Sequence, residues 1–126
     1  MLLLDTHTLI WFINDDEALS PKATQLITQS ETVLVSIASL WEISIKLSIG
    51  KLSMGGNFDD LFPTHLIDNG LKALPISLVH LSKVEKLPFH HRDPFDRLII
   101  AQSLADNIPV VGVDQRFDDY GVTRLW

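Results

Sequence analysis

Short, wholly apolar runs separated by helical segments constrain this chain more than any other feature. Leu2-Leu3-Leu4 stops at Asp5, and Val33-Leu34-Val35 stops at Ser36. A strand that is apolar at every position is buried on both faces, the pattern of a parallel sheet covered by helices. Further strands are read over Leu71 to Ile76, Ile108 to Val113 and Val122 to Trp126. Strands alternating with helices imply right-handed crossovers. The expected fold is α/β: a three-layer α/β/α sandwich around a central, mainly parallel sheet of about five strands, as one domain over residues 1–126.

The helices announce their own starts. Thr6-His7-Thr8 turns the chain into Leu9 to Phe12, and Ser20-Pro21 supplies a cap followed by Pro at the first helical position. Ser36 caps a helix from Ile37 to about Ile49 that carries two apolar stripes at 100° steps. Leu40, Ile43 and Leu47 form one stripe, and Trp41, Ile45 and Ile49 form the other. Such a helix is expected to be sandwiched, with sheet on one flank and another helix or subunit on the other. A helix over Asp59 to Asp68 is interrupted by Pro63, and Ser77 to Leu87 carries Leu78, Leu81 and Val84. In the last helix, to Asp106, Asp93 is the N-cap, Pro94 the first position and Asp96 the third, where an acid suits the free amides and the helix dipole.

Composition sets the outer limits. Apolar residues make up 46% and mean hydropathy is +0.20, a surplus that points to an oligomer or an obligate partner. Cysteine is absent, which removes disulfides, thiolate catalysis and Cys-based metal sites and agrees with a reducing, cytoplasmic setting. No basic residue precedes the apolar start and no run approaches the ~18 residues of a membrane helix, so neither a signal peptide nor a membrane span is expected. A net charge of -6 argues against a broad basic nucleic-acid face. It leaves room for a metal-dependent nuclease, whose site must concentrate acids.

Four acids fall where such a sheet would gather them. Ligands bind beyond the carboxyl ends of parallel strands. Asp5 and Asp114 end strands, Asp96 starts a helix, and Glu42 lies about one and a half turns into another. Adjacent carboxylates there repel by ~4 kcal/mol per pair at an effective dielectric near 20, so a cation is required. Oxygen-only ligands select Mg²⁺ or Mn²⁺, ions suited to phosphodiester hydrolysis by water. A haloacid-dehalogenase-like phosphatase would want a second Asp where His7 stands, and a receiver domain would need a Lys after a late strand, which is missing.

Four segments in order carry a resemblance that spans essentially the whole chain: Leu-Leu-Asp-Thr-His-Thr-Leu-Ile-Trp at 3–11, Ser-Leu-Trp-Glu-Ile-Ser-Ile-Lys at 39–46, Asp-Pro-Phe-Asp-Arg with Ile-Ile-Ala-Gln at 93–102, and Val-Asp-Gln-Arg-Phe with Tyr-Gly-Val at 113–122. The chain resembles the PIN-domain family, and within it the VapC-like toxins of toxin–antitoxin pairs. The resemblance implies an endoribonuclease acting on structured or translating RNA, usually a homodimer, held inactive by a cognate antitoxin. It implies Asp5, Glu42, Asp96 and Asp114 as the metal-binding quartet. The mechanism expected of that quartet has Asp5 and Asp96 hold the principal Mg²⁺, with Glu42 contacting it directly or through water and activating the nucleophilic water. One departure is Gly112, two residues before the final acid, where members often carry Thr or Ser. A PIN-like fold kept only as a binding module is the rival reading, against which the four intact acids speak.

Around the quartet, Arg97, Lys46 and Arg92 are candidate phosphate contacts, with ion pairing to Asp93 or Glu42 as the plain alternative. Thr6 and Ser39 are candidate hydrogen-bond partners of the acids, and Asp93 is a cap that also stands near them. His90 and His91 are expected to be ordinary loop residues. Trp11 and Trp41 belong by their stripes to core or interface, and Phe117 and Tyr120 are expected to pack beneath a turn at Asp118-Asp119.

Overall fold

In the computed structural model, which describes residues 1–126, five strands form one parallel sheet in the order β3-β2-β1-β4-β5. β1 (Leu2–Leu4) is central. It pairs with β2 (Val33–Ser36) on one side and β4 (Val110–Val111) on the other, while β3 (Leu71–Leu74) and β5 (Arg124–Leu125) lie at the edges. Leu4 stands in register with both Val35 and Val111. The last two strands are shorter than their apolar runs, and Pro109, which precedes β4, has no N–H to offer a neighbour. Backbone pairing nevertheless continues past them, from Leu3 N to Pro109 O at 2.9 Å and from Gly112 N to Leu125 O at 3.1 Å.

Alternation of side chains across the sheet divides the core into two layers. Leu2, Leu4, Val33 and Val35 meet Leu9, Ala23, Ile27, Ile43 and Leu66 from α1 (Thr6–Ile13), α2 (Pro21–Gln29), α3 (Ile37–Ser48) and α5 (Thr64–Asp68). Leu3, Leu34 and Val110 meet Leu98, Ile99 and Leu87 on the other face, beside α6 (Leu78–Lys86) and α7 (Pro94–Asp106). The three-layer α/β/α architecture expected from the strand pattern is the one observed. A short helix, α4 (Phe58–Leu61), precedes α5, so the expected helix over 59–68 is two helices divided at Pro63. A 3₁₀ segment covers Gln115–Tyr120, with Phe117 buried beneath it.

One face of α3 is open in the single chain, and α6 differs from its expected face. On α3, Leu40 and Ile43 are buried as expected, but Trp41, Ile45 and Ile49 face solvent, at 56, 37 and 59% exposure. Trp41 meets the edge of Phe95 on α7, with ring centroids 5.0 Å apart, and the rest of that flank is open in the single chain. On α6 the expected core residues Leu78 and Leu81 are exposed, and the inward positions are His80 and Val84. His80 can take an inward place because every polar atom of its ring is matched. Its Nδ1 accepts from Ser77 N at 3.0 Å and its Nε2 lies 2.9 Å from Asp106 Oδ2, which ties α6 to the end of α7.

The two stripes of α3 are therefore expected to respond differently to truncation. Ile43→Ala should cost about 2–5 kcal/mol in urea unfolding, as for other buried aliphatic deletions. Ile45→Ala should cost less than about 1 kcal/mol in the isolated chain.

Candidate active site

The path of the chain through the sheet creates one crevice. From β1 it moves outward to β2 and β3, then returns to place β4 on the opposite side of β1. The order thus reverses between β1 and β4, the position at which open parallel sheets form a cleft beyond their carboxyl ends. Asp5 follows β1 directly and Asp114 lies three residues past β4. A cleft of about 290 Å³ opens there, lined by Asp5, Glu42, Asp96 and Asp114 together with Asp93, His7, His91, Lys46 and Arg116.

Helix starts aim most of these acids. Asp5 caps α1, its Oδ1 accepting from Thr8 N at 2.8 Å, and Asp114 caps the 3₁₀ segment, accepting from Arg116 N at 2.9 Å. Asp93 caps α7 as expected, taking Phe95 N at 2.8 Å and Asp96 N at 3.1 Å. Asp96, at the third position, does not reach back to the cap's amide as an acid there often does. The Asp93 amide instead donates to His91 Nδ1 at 3.2 Å, and Asp96 is left to turn into the cleft, 3.0 Å from His91 Nε2. Glu42 is buried on α3 and pairs with Lys46 Nζ at 2.8 Å, so the alternative weighed for it and the place in the cleft are both realised.

Charge is unevenly compensated. Burial, with repulsion from Asp93, Asp5, Glu42 and Asp114, pushes the Asp96 carboxyl up to about 7. Burial raises Asp5 as well, against the opposing Thr8 hydrogen bonds. Burial alone would raise Asp114 too, but the Arg116 guanidinium and amide, with His91, override it and hold that carboxyl at about 2. Arg116 reaches Asp114 Oδ1 and Oδ2 at 3.1 and 2.9 Å through Nε and Nη2. The deficit of positive charge therefore centres on Asp96 and Asp5, and oxygen-only carboxylates with such a deficit fit a hard divalent cation.

The remaining expected residues separate clearly. Lys46 lines the cleft. Arg97, expected as a phosphate contact, is a correction: it is 6% exposed and points into the protein. Its Nη1 donates to Pro88 O at 2.8 Å and Tyr120 Oη at 3.2 Å, its Nη2 donates to Val84 O and Leu87 O at 3.3 Å each, and the guanidinium lies 4.2 Å over the Phe89 ring. One step of the helix beyond Asp96 turns a side chain by about 100°, enough to take it off the cleft. Arg92 is exposed and is not part of the cleft wall. Thr6 and Ser39, expected to bond the acids, bond each other, Thr6 Oγ1 donating to Ser39 Oγ at 3.0 Å, and so tie α1 to α3.

His91 and Arg116 are cleft residues that sequence reasoning did not place there. His91, expected as an ordinary loop residue, is 3% exposed, and its Nε2 lies 3.1 Å from Asp114 Oδ2 as well as near Asp96. Arg116 had a usable signal in its position two residues after a capping Asp, where backbone and side chain can both reach the same carboxylate. Gly112 also has a defined reason. It neighbours Asp5 across the β1–β4 ladder, and a Cβ there would collide with Asp5 Oδ2 and stand 2.9 Å from its Cγ. The carboxylate fills the space that a side chain at position 112 would need.

Two outcomes follow from this electrostatics and packing. Asp96 binds its proton more tightly in the fold than at its ordinary value of 3.8, so the metal-free fold loses stability as pH rises from there toward about 7. Asp96→Asn removes that loss while Asp93 still caps α7. In EDTA its Tm should exceed that of the unsubstituted protein at pH 7.5 and match it near pH 4. Gly112→Ala should displace the Asp5 carboxylate, cost about 1–3 kcal/mol through overpacking, and weaken Mn²⁺ binding by roughly tenfold in a calorimetric titration.

Comparison with known proteins agrees with this fold. The PIN domain family model matches residues 2–122. A Rickettsia felis VapBC2 structure, solved with a DNA fragment from its promoter, superposes with a TM-score of 0.73 at 16% identity, covering 98% of this chain and 96% of that one. A toxin–antitoxin complex from Klebsiella pneumoniae gives 0.67 at 13% identity, over 100% and 97% of the two chains. VapC20 from Mycobacterium tuberculosis, described as a sarcin–ricin loop cleaving toxin, gives 0.64 at 13% identity, over 97% and 96%. No curated protein matches. At these identities the solved structures establish the fold, and the family match over nearly all of the sequence establishes membership: the chain belongs to the PIN domain family.

Proposed function

We propose that this protein is a divalent-metal-dependent endoribonuclease and the toxin of a toxin–antitoxin pair, with residues 1–126 acting as one catalytic unit. The observation that carries the reading is the meeting of Asp5, Glu42, Asp96 and Asp114 in one cleft at the reversal point of a PIN-family sheet. The toxin–antitoxin character of the superposed structures supports the biological role.

In this reading Asp5 and Asp96 hold Mg²⁺, or Mn²⁺ in its place, because they are the acids whose charge the protein leaves least compensated. The ion, when bound, neutralises the cleft and supplies an activated water and a stabilised leaving oxygen. Glu42 would accept the proton of the attacking water, and Lys46 Nζ, 2.8 Å from it, holds the carboxylate in place. Asp114 completes the quartet from a position fixed by Arg116, whose guanidinium also stands at the mouth of the cleft for an incoming phosphate. Lys46 and Arg116 thus give a net acidic protein a local place for RNA.

Exposed apolar faces bear on the partners. Trp41, Ile45 and Ile49 on α3 and Leu78, Val79 and Leu81 on α6 are exposed apolar residues, and they support an antitoxin and a second copy of the chain as partners. No helix is long and apolar enough to cross a membrane. A cytoplasmic location follows from the role, since RNA is the substrate.

The protein freed of any co-purifying partner should cleave RNA in Mg²⁺ or Mn²⁺ and lose the activity in EDTA. Glu42→Gln should slow cleavage by about 10²-fold or more. Because water is the nucleophile, sequencing of the cut ends should find 5′-phosphate and 3′-hydroxyl. A 2′,3′-cyclic phosphate would overturn the mechanism, and RNA binding without cleavage by the unsubstituted protein would make the chain a binding module.

A further inference from the structure

His91 lines the cleft although the sequence marks it as an ordinary loop residue. Its ring is buried at 3% exposure, and both nitrogens are engaged. Nδ1 accepts the backbone N–H of Asp93 at 3.2 Å, an amide that, as the cap of α7, has no partner within the helix. A nitrogen that accepts an N–H carries no hydrogen, so the hydrogen of the ring sits on Nε2. Nε2 in turn lies almost equally far from Asp96 Oδ2 and Asp114 Oδ2, at 3.0 and 3.1 Å. The backbone of His91 is pinned as well. Its N–H donates to Tyr120 Oη at 2.8 Å, and the buried Arg97 reaches both that oxygen and His91 O, at 3.2 and 3.4 Å.

Nε2 and one oxygen from each of Asp96 and Asp114 lie within 4.8 Å of one another, a spacing that by itself would suit a metal held by two carboxylates and an imidazole. The tautomer argues the other way. An Nε2 that bears hydrogen has no lone pair to give, and releasing it would leave the Asp93 amide facing a second N–H. Resting on the nuclease reading above, we propose that His91 is a positioning residue: locked by the Asp93 amide with its hydrogen on Nε2, it clamps Asp96 and Asp114 at a fixed separation and is not itself a metal ligand. The clamp joins the start of α7 to the end of β4, the two segments that must stay in register for their acids to share one ion. The buried Arg97 then acts at one remove, by holding the loop that holds the clamp.

Long-range ¹H–¹⁵N correlation spectra of protein labelled at histidine nitrogens read the tautomer directly, with the His91 signals assigned by their loss in His91→Gln. The expected spectrum in EDTA shows a hydrogen-bearing Nε2 and a bare Nδ1, unchanged in pattern when Mg²⁺ is added. A hydrogen on Nδ1, or an Nε2 that loses its hydrogen on adding Mg²⁺, overturns the clamp while leaving the nuclease reading intact. Mn²⁺ affinity, measured from the free-ion electron paramagnetic resonance signal, separates the two readings. The unsubstituted protein should bind, His91→Ala and His91→Asn should bind roughly 10–100-fold more weakly, and His91→Gln, whose amide extends to the Nε2 position, should recover most of the loss. Equal affinity in all four proteins overturns the clamp alone, whereas no binding by the unsubstituted protein overturns the nuclease reading and the clamp with it. If His91→Ala does not fold, the spectra of the unsubstituted protein still decide.

Discussion

Mutual repulsion among carboxylates at one end of the sheet is the constraint to which the rest of the site answers. The fold gathers five acids around a cleft and then gives most of them a private donor: the Thr8 amide for Asp5, Lys46 for Glu42, the Phe95 amide for Asp93, and Arg116 for Asp114. Asp96 receives only a shared contact with His91 and remains the acid most strained by its neighbours. Compensation is therefore local and incomplete, which lets the acids gather in a folded protein and still leaves a cation something to stabilise. A fully neutralised cleft would have no affinity for an ion, and a wholly uncompensated one would oppose folding.

Topology converts that balance into geometry. Because β1 is central and the chain reverses between β1 and β4, segments more than a hundred residues apart place Asp5 and Asp114 side by side. The same ladder sets Gly112 against Asp5 so closely that a Cβ would displace the carboxylate. What looked in the sequence like the loss of a Thr or Ser is a steric requirement of this rotamer of Asp5. The small residue and the acid beside it form one unit, and a substitution at either has to be judged with the other.

The sheet was legible because buried parallel strands write themselves as unbroken apolar runs, and Leu2 to Leu4 and Val33 to Val35 do so without ambiguity. The cap at Asp93 and the helix to Asp106 were legible because Pro94 and the acids that surround it obey local rules. Pairwise detail was not. Arg97 follows Asp96 and Lys46 stands four residues after Glu42, yet α7 turns the first inward to four carbonyl groups and a tyrosine while α3 leaves the second at the cleft. Periodicity misplaced Leu78 and Leu81 for a related reason. The inward side of α6 is set by the pairing of His80 with Ser77 and Asp106, and a scale that counts only apolar residues cannot register it.

His91 shows the same limit at its sharpest, since two adjacent histidines before a cap carry no periodic or motif signal that separates one from the other. His90 is exposed and lies edge-on to Tyr120 with ring centroids 5.1 Å apart, whereas its neighbour is buried between two carboxylates. The difference arises because the chain must turn sharply from Pro88 into the cap at Asp93, and Arg97 and Tyr120 fix that turn from beneath. Burying a cation as well connected as Arg97 is costly unless its donors are spent. Here they are spent on the loop that presents His91. Interior electrostatics and cleft geometry are thus one network: Arg97 orders the loop, the loop orients the imidazole, and the imidazole spaces the acids. The residue expected from sequence to touch RNA acts instead from inside the protein, on the acids that RNA would meet.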